Sequence, residues 1–121
     1  MPDASFVILY VDSPDRSAAF YRDLLSRDPI EASPTFAMFA LRGGVMLGLW
    51  SRHAVEPAAS CAGGGAEVAF TVDGADAVDR THADWKGRGV AIAQAPVDLD
   101  FGRTFVALDP DGHRLRVLAP A

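Results

Sequence analysis

The stretch VILYVDSPDRSAAFYRDLL, Val7 to Leu25, begins with an unbroken apolar run and passes through Asp12-Ser13-Pro14 into Phe20, Tyr21, Leu24 and Leu25 at helical spacing. A short apolar run bounded by turn residues reads as a buried strand. Ser13 offers a capping hydroxyl, and Pro14 suits the first helical position, where its missing N–H would have had no partner. The stretch is therefore strand then helix. The same order returns with VAFTV, Val68 to Val72, then Asp73-Gly74-Ala75 and a helical segment carrying Val78, His82 and Trp85 before Gly87 and Gly89 stop it. Val7, Val11, Asp12, Asp15 and Asp23 align with Val68, Val72, Asp73, Asp76 and Asp84.

Each helix is followed by a short extended piece and a hairpin. In the first half Phe36 to Leu41 and Val45 to Trp50 flank Arg42-Gly43-Gly44; in the second Arg103 to Leu108 and Arg114 to Leu118 flank Asp109-Pro110-Asp111-Gly112. Both turns have hairpin chemistry. The prediction is an α+β fold of tandem βαβββ modules within a single domain, 1–121. Module one covers 5–50, an Ala-, Pro- and Gly-rich connector 51–65, and module two 66–118.

Composition bounds what such a chain does. With 121 residues, half of them apolar, there is material for one core. A net charge of −5 argues against nucleic acid, whose phosphates require a clustered basic face. No stretch reaches the roughly eighteen apolar residues of a membrane span, and no signal peptide is read, so the expectation is no membrane and a cytoplasmic location. Cys61, the sole cysteine, suits a reducing compartment.

Alternate residues of a strand face opposite sides of the sheet, which predicts a site. The valine-rich sides, Val7, Leu9 and Val11 with Val68, Phe70 and Val72, are expected against the helices. Phe6, Ile8, Tyr10, Glu67, Ala69 and Thr71 are left for the other, concave face. On the last strand Leu115 and Val117 go with the helices while Arg114, Arg116 and Leu118 face the cavity; the counterparts in module one are Met46, Gly48 and Trp50. A four-residue turn sets Leu108 opposite His113 and Phe105 opposite Arg116, which predicts Arg103, Phe105 and Ala107 for the cavity, and by the repeat Phe36, Met38 and Ala40. Trp50, at the end of its strand, reads as a wall of the pocket; Trp85, a turn beyond Val78 and His82, reads as helix-to-sheet packing. His53, His82 and His113 lie off the cavity strands, and no motif gathers a nucleophile with a base.

The two modules, VDSPDRSAAFYRDLL after the first strand and DPDGHRLRV at the end resemble the vicinal oxygen chelate superfamily, also called the glyoxalase, bleomycin-resistance and dioxygenase superfamily, over essentially the whole chain. The resemblance implies sheets cupped into half-barrels around a cavity and a homodimer, with swapped and unswapped arrangements both open. It also implies that metal ligands, where members have them, would fall on Phe6, Gly48, Glu67 and Arg116. Only Glu67 can coordinate a metal, and a catalytic site needs about three protein ligands. Arg116 would put a permanent cation where the ion should sit. No metal and no cofactor are therefore expected.

ILYV, RSAAFYRDLL, LGLWS, the cavity-facing Glu67 and above all DFGRTFVALDPDGHRLRV are similar to the non-enzymatic antibiotic-binding resistance proteins of that superfamily, especially those that sequester phenazines. That likeness implies a planar aromatic ligand held near Trp50 and Phe101-Gly102. The predicted ligand-binding set is Phe6, Tyr10, Phe36, Met38, Met46, Trp50, Glu67, Phe101, Gly102, Phe105 and Arg116, with no catalytic residue. Glu67 and Arg116 either orient the ligand or pair with each other. The predicted function is metal-independent sequestration of a small aromatic natural product such as an antibiotic; the alternative is an enzyme of the same superfamily acting on a small molecule.

Overall fold

Ser13 caps the first helix as its sequence predicts: its hydroxyl accepts from the Arg16 N–H at 3.2 Å, and Pro14 opens the helix. Such a cap contributes about 1 kcal/mol. The computed structural model describes residues 1–121, in the order β1 (Phe6–Val11), α1 (Pro14–Leu25), β2 (Glu31–Ala32), β3 (Phe36–Ala40), β4 (Met46–Ser51), β5 (Glu67–Thr71), α2 (Ala75–Gly87), β6 (Ala91–Leu99), β7 (Gly102–Leu108) and β8 (Arg114–Pro120). The chain divides into two units, 1–62 and 63–121, each a four-stranded mixed sheet with a helix. The strand orders are β1-β4-β3-β2 and β5-β8-β7-β6, so each unit is a βαβββ module. β1 runs parallel to β4 and β5 parallel to β8, while the hairpins are antiparallel.

In the first unit the alternation works as expected except at Val7, which was expected against the helix and stays 39% exposed. Val11, Ala37, Phe39, Leu47 and Leu49 are buried on the helix side with Ala18 and Tyr21 of α1, and the Tyr21 and Phe39 rings lie 6.5 Å apart. In the second unit Trp85 of α2 packs edge-to-face on Phe70 at 6.0 Å and on Phe105 at 5.5 Å, as a helix-to-sheet residue should.

Two expectations change. The piece after α2 is not short: β6 runs nine residues, with register shifts between Ile92 and Gln94 and between Gln94 and Val97. Pro96 falls inside the second shift, and β6 is an edge strand, where a residue without an N–H is tolerated. The second hairpin is also one residue out of the predicted register. Asp109 Oδ1 accepts from the N–H groups of Asp111 and His113 at 2.9 and 2.8 Å, and the Asp109 N–H donates to the His113 carbonyl at 3.0 Å. His113 is thereby drawn into the loop, Leu108 pairs with Arg114, and Phe105 faces Val117 rather than Arg116. A slip of one residue turns every side chain of a strand to its other face.

Candidate ligand-binding site

The register of the first unit puts Phe6, Ile8 and Tyr10 of β1 beside Met46, Gly48 and Trp50 of β4, and these beside Ala40, Met38 and Phe36 of β3. All nine share the face opposite α1. Phe6, Ile8, Phe36 and Trp50 line an open apolar cavity of about 390 Å³ there, near the lower end for small-molecule sites. Phe36 and Trp50 meet edge-to-face with centroids 6.3 Å apart and planes at 88°, so the Phe36 ring fixes the orientation of the indole. Phe6, Ile8 and Tyr10 remain 42–45% exposed, an unusual amount of large apolar surface for one edge strand. Tyr10, Met38 and Met46 share the face without lining the cavity. Ile8, which belongs to the predicted face but not to the predicted ligand set, does line it.

The second unit carries a polar group on the corresponding strands. Arg116 Nε and Nη2 donate to the two oxygens of Glu67 at 2.8 and 2.9 Å, a bidentate pair, and Arg116 Nη1 donates to Thr104 Oγ1 at 3.1 Å. Thr104 is free to accept because its own proton goes to the Val117 carbonyl at 2.8 Å. Arg114 Nε stands 3.5 Å from Glu67, and the Phe101 ring lies under the Arg116 guanidinium, 5.9 Å from it. Of the two open arrangements, Glu67 and Arg116 adopt the one in which they hold each other. The hydrogen bonds from Arg116 hold the Glu67 carboxyl below the usual carboxylate range against the opposing effect of burial, and the charges of Arg116 and Arg114 add to this; Glu67 in turn raises Arg116.

Phe105 does not lie on the face expected for it. It is fully buried on the helix side against Trp85 and His82, its ring 5.3 Å from the imidazole, because the hairpin register differs by one. Arg103 and Ala107 follow it: Arg103 turns to α2 and binds Asp79 at 2.9 Å, and Asp98 at 3.0 Å. Thr104 takes their place on the Arg116 side, and only the correct loop length could have revealed it. Gly102 is buried, with φ +137°, and a Cβ there would strike the Ala119 carbonyl. Its role is to let β7 leave the β6–β7 turn, where the neighbouring Phe101 is half-exposed, close against β8.

His53, expected off the cavity strands, binds Asp12 at 2.7 Å, while the Arg52 N–H donates to the Val11 carbonyl. The start of the connector is thus tied to the end of β1. No group of three or more His, Cys, Asp or Glu side chains converges on a point where a metal ion could be held. Phe6 and Gly48 offer no donor, and both oxygens of Glu67 are taken by a guanidinium, so these residues do not fit a divalent metal.

The sequence model of the Glyoxalase/Bleomycin resistance protein/Dioxygenase superfamily matches residues 4–117. The chain belongs to this superfamily. A curated relative, the phenazine antibiotic resistance protein EhpR of Enterobacter agglomerans, is 30% identical over 113 residues, 91% of this chain and 86% of that protein. Among solved structures, protein ATC0852 from Agrobacterium tumefaciens is 56% identical, covering 100% of this chain and 99% of that one with a TM-score of 0.92. Lactoylglutathione lyase from Agrobacterium tumefaciens shares the fold at 21% identity, over 98% of this chain and 94% of that one, with a TM-score of 0.78. The superfamily's own description covers enzymes, a glyoxalase and a dioxygenase, as well as a resistance protein. No helix is long and apolar enough to cross a membrane.

Proposed function

We propose that this superfamily member binds a planar aromatic natural product on the apolar face of its first unit and withholds it, chemically unchanged, from its target. The observation that carries this reading is the cavity lined by Phe6, Ile8, Phe36 and Trp50, which offers stacking surface and no reactive group. Each aromatic contact adds about 0.5–1.5 kcal/mol beyond area burial, and micromolar affinity needs about 8 kcal/mol in total. Several ring contacts together with apolar burial reach that figure. The self-paired Glu67 and Arg116 support the absence of catalysis: a carboxylate with both oxygens engaged and a depressed pKa is a poor proton acceptor. The likeness to a phenazine antibiotic resistance protein supports a planar ligand.

The reading includes a homodimer in the cytoplasm. Phe6, Val7, Ile8 and Tyr10 leave β1 39–45% exposed at each of these residues, more apolar surface than a lone edge strand usually presents. A monomer mass by light scattering at micromolar concentration removes that part of the reading and leaves ligand binding to be judged separately. The lone exposed Cys61 has no disulfide partner, as suits a reducing compartment.

The test is a titration of tryptophan fluorescence with phenazine in the presence of a chelator, on the wild type and on Trp50→Phe, followed by chromatography of the recovered compound. Saturable quenching that disappears in a folded Trp50→Phe variant, with phenazine returned intact, is the expected result; buried Trp85 supplies the unquenched background. A flat titration, or a transformed compound, refutes sequestration.

A further inference from the structure

Most glycines of the chain sit at turns with positive φ, but Gly48 does not: it lies in the middle of the inner strand β4, between fully buried Leu47 and Leu49, with an ordinary strand backbone. Glycine weakens a strand there, and nothing in the local conformation calls for it. The reason lies across the sheet. A Cβ at position 48 would stand 3.1 and 3.2 Å from Cζ and Cε1 of Phe36 and 3.4 Å from Cγ1 of Ile8. The bare backbone is what lets the Phe36 ring settle its edge onto β4, with Ile8 beside it. These two side chains are half of the cavity lining.

We propose that Gly48 sets the size of the planar ligand this face accepts. Its missing side chain keeps Phe36 down on the sheet and the cavity deep enough for three fused rings; a methyl group there lifts the ring edge into the space and leaves room for two. The inference rests on the proposed function and deepens it by naming a selectivity residue and the ligand class it selects. Gly48 contacts the ligand only through Phe36 and Ile8, so it is a positioning residue.

The experiment measures phenazine and quinoxaline, three and two fused rings of the same heteroaromatic type, against wild type, Gly48→Ala, Phe36→Leu and the double variant, with a melting curve for each. One added methyl in a closely fitted apolar site is worth about tenfold or more in affinity. The expected result is that Gly48→Ala weakens phenazine about tenfold while quinoxaline changes by less than about twofold, and that the same substitution has little effect when position 36 is leucine. Equal losses for both compounds, no loss for either, an undiminished effect in the Phe36→Leu background, or a Gly48→Ala variant that does not fold would each overturn the inference, since each assigns the glycine to something other than ligand size. If wild type binds neither compound, the proposed function has failed and the inference falls with it. If wild type binds phenazine and Gly48→Ala binds it equally, only the inference has failed.

Discussion

Replacing Glu67 with glutamine removes the charge that Arg116 holds while keeping nearly the same shape. The Arg116 side chain is 16% exposed and that of Glu67 30%, so the pair lies between the surface case, worth up to about 1 kcal/mol, and the buried case, in which losing one partner costs about 3–5 kcal/mol. Glutamine still accepts one hydrogen bond, which places the expected loss at about 1–2 kcal/mol near neutral pH. For a chain of this length that corresponds to a fall in melting temperature of roughly 3–10 °C. The pH dependence gives a sharper signature. Because the folded Glu67 carboxyl titrates below its ordinary value of 4.5, its stabilisation is complete above that pH and is lost as the pH falls through the lower folded value. Urea unfolding at pH 7 and again near pH 3 is therefore expected to show the gap between wild type and Glu67→Gln shrinking as acid protonates the wild-type carboxyl. A cycle with Arg116→Met isolates the pair from each residue's other contacts. A gap that is negligible at pH 7, or that is the same size at both pH values, would refute the account of Glu67 and Arg116 as a closed ion pair.

Two further outcomes test the second unit. Phe105→Leu is expected to cost about 1–2 kcal/mol through lost packing on Trp85 and His82, while ligand affinity per folded molecule stays the same; a specific loss of binding without loss of stability would return Phe105 to the ligand face. Gly102→Ala is expected to cost at least about 2–3 kcal/mol in urea unfolding, because the new methyl meets the backbone carbonyl of Ala119 at a φ that disfavours side chains. A wild-type midpoint would contradict that close approach.

The sequence by itself determined the duplicated βαβββ order, because a helix after an apolar strand, repeated from Val68, leaves few other ways to bury both apolar stripes. It also determined which side of β1, β3 and β4 is aromatic, since the alternation there is unbroken from strand to turn to strand. The register of the last hairpin was beyond its reach. Whether His113 belongs to the loop or to the strand depends on how the Asp109 carboxylate satisfies two backbone N–H groups, a three-dimensional closure that the letters DPDGH do not specify. That one residue decided the placement of Arg103, Phe105 and Ala107, and brought Thr104 beneath Arg116. The choice between a ligand-facing and a self-paired Glu67 likewise belonged to tertiary structure. Alternation gives a side chain its face, but only the parallel pairing of β5 with β8 sets how far along that face Arg116 must reach to meet a residue 49 positions away. The same holds for Gly48, whose place in the sequence looks like a weak point in a strand until the ring of Phe36 is seen resting on it.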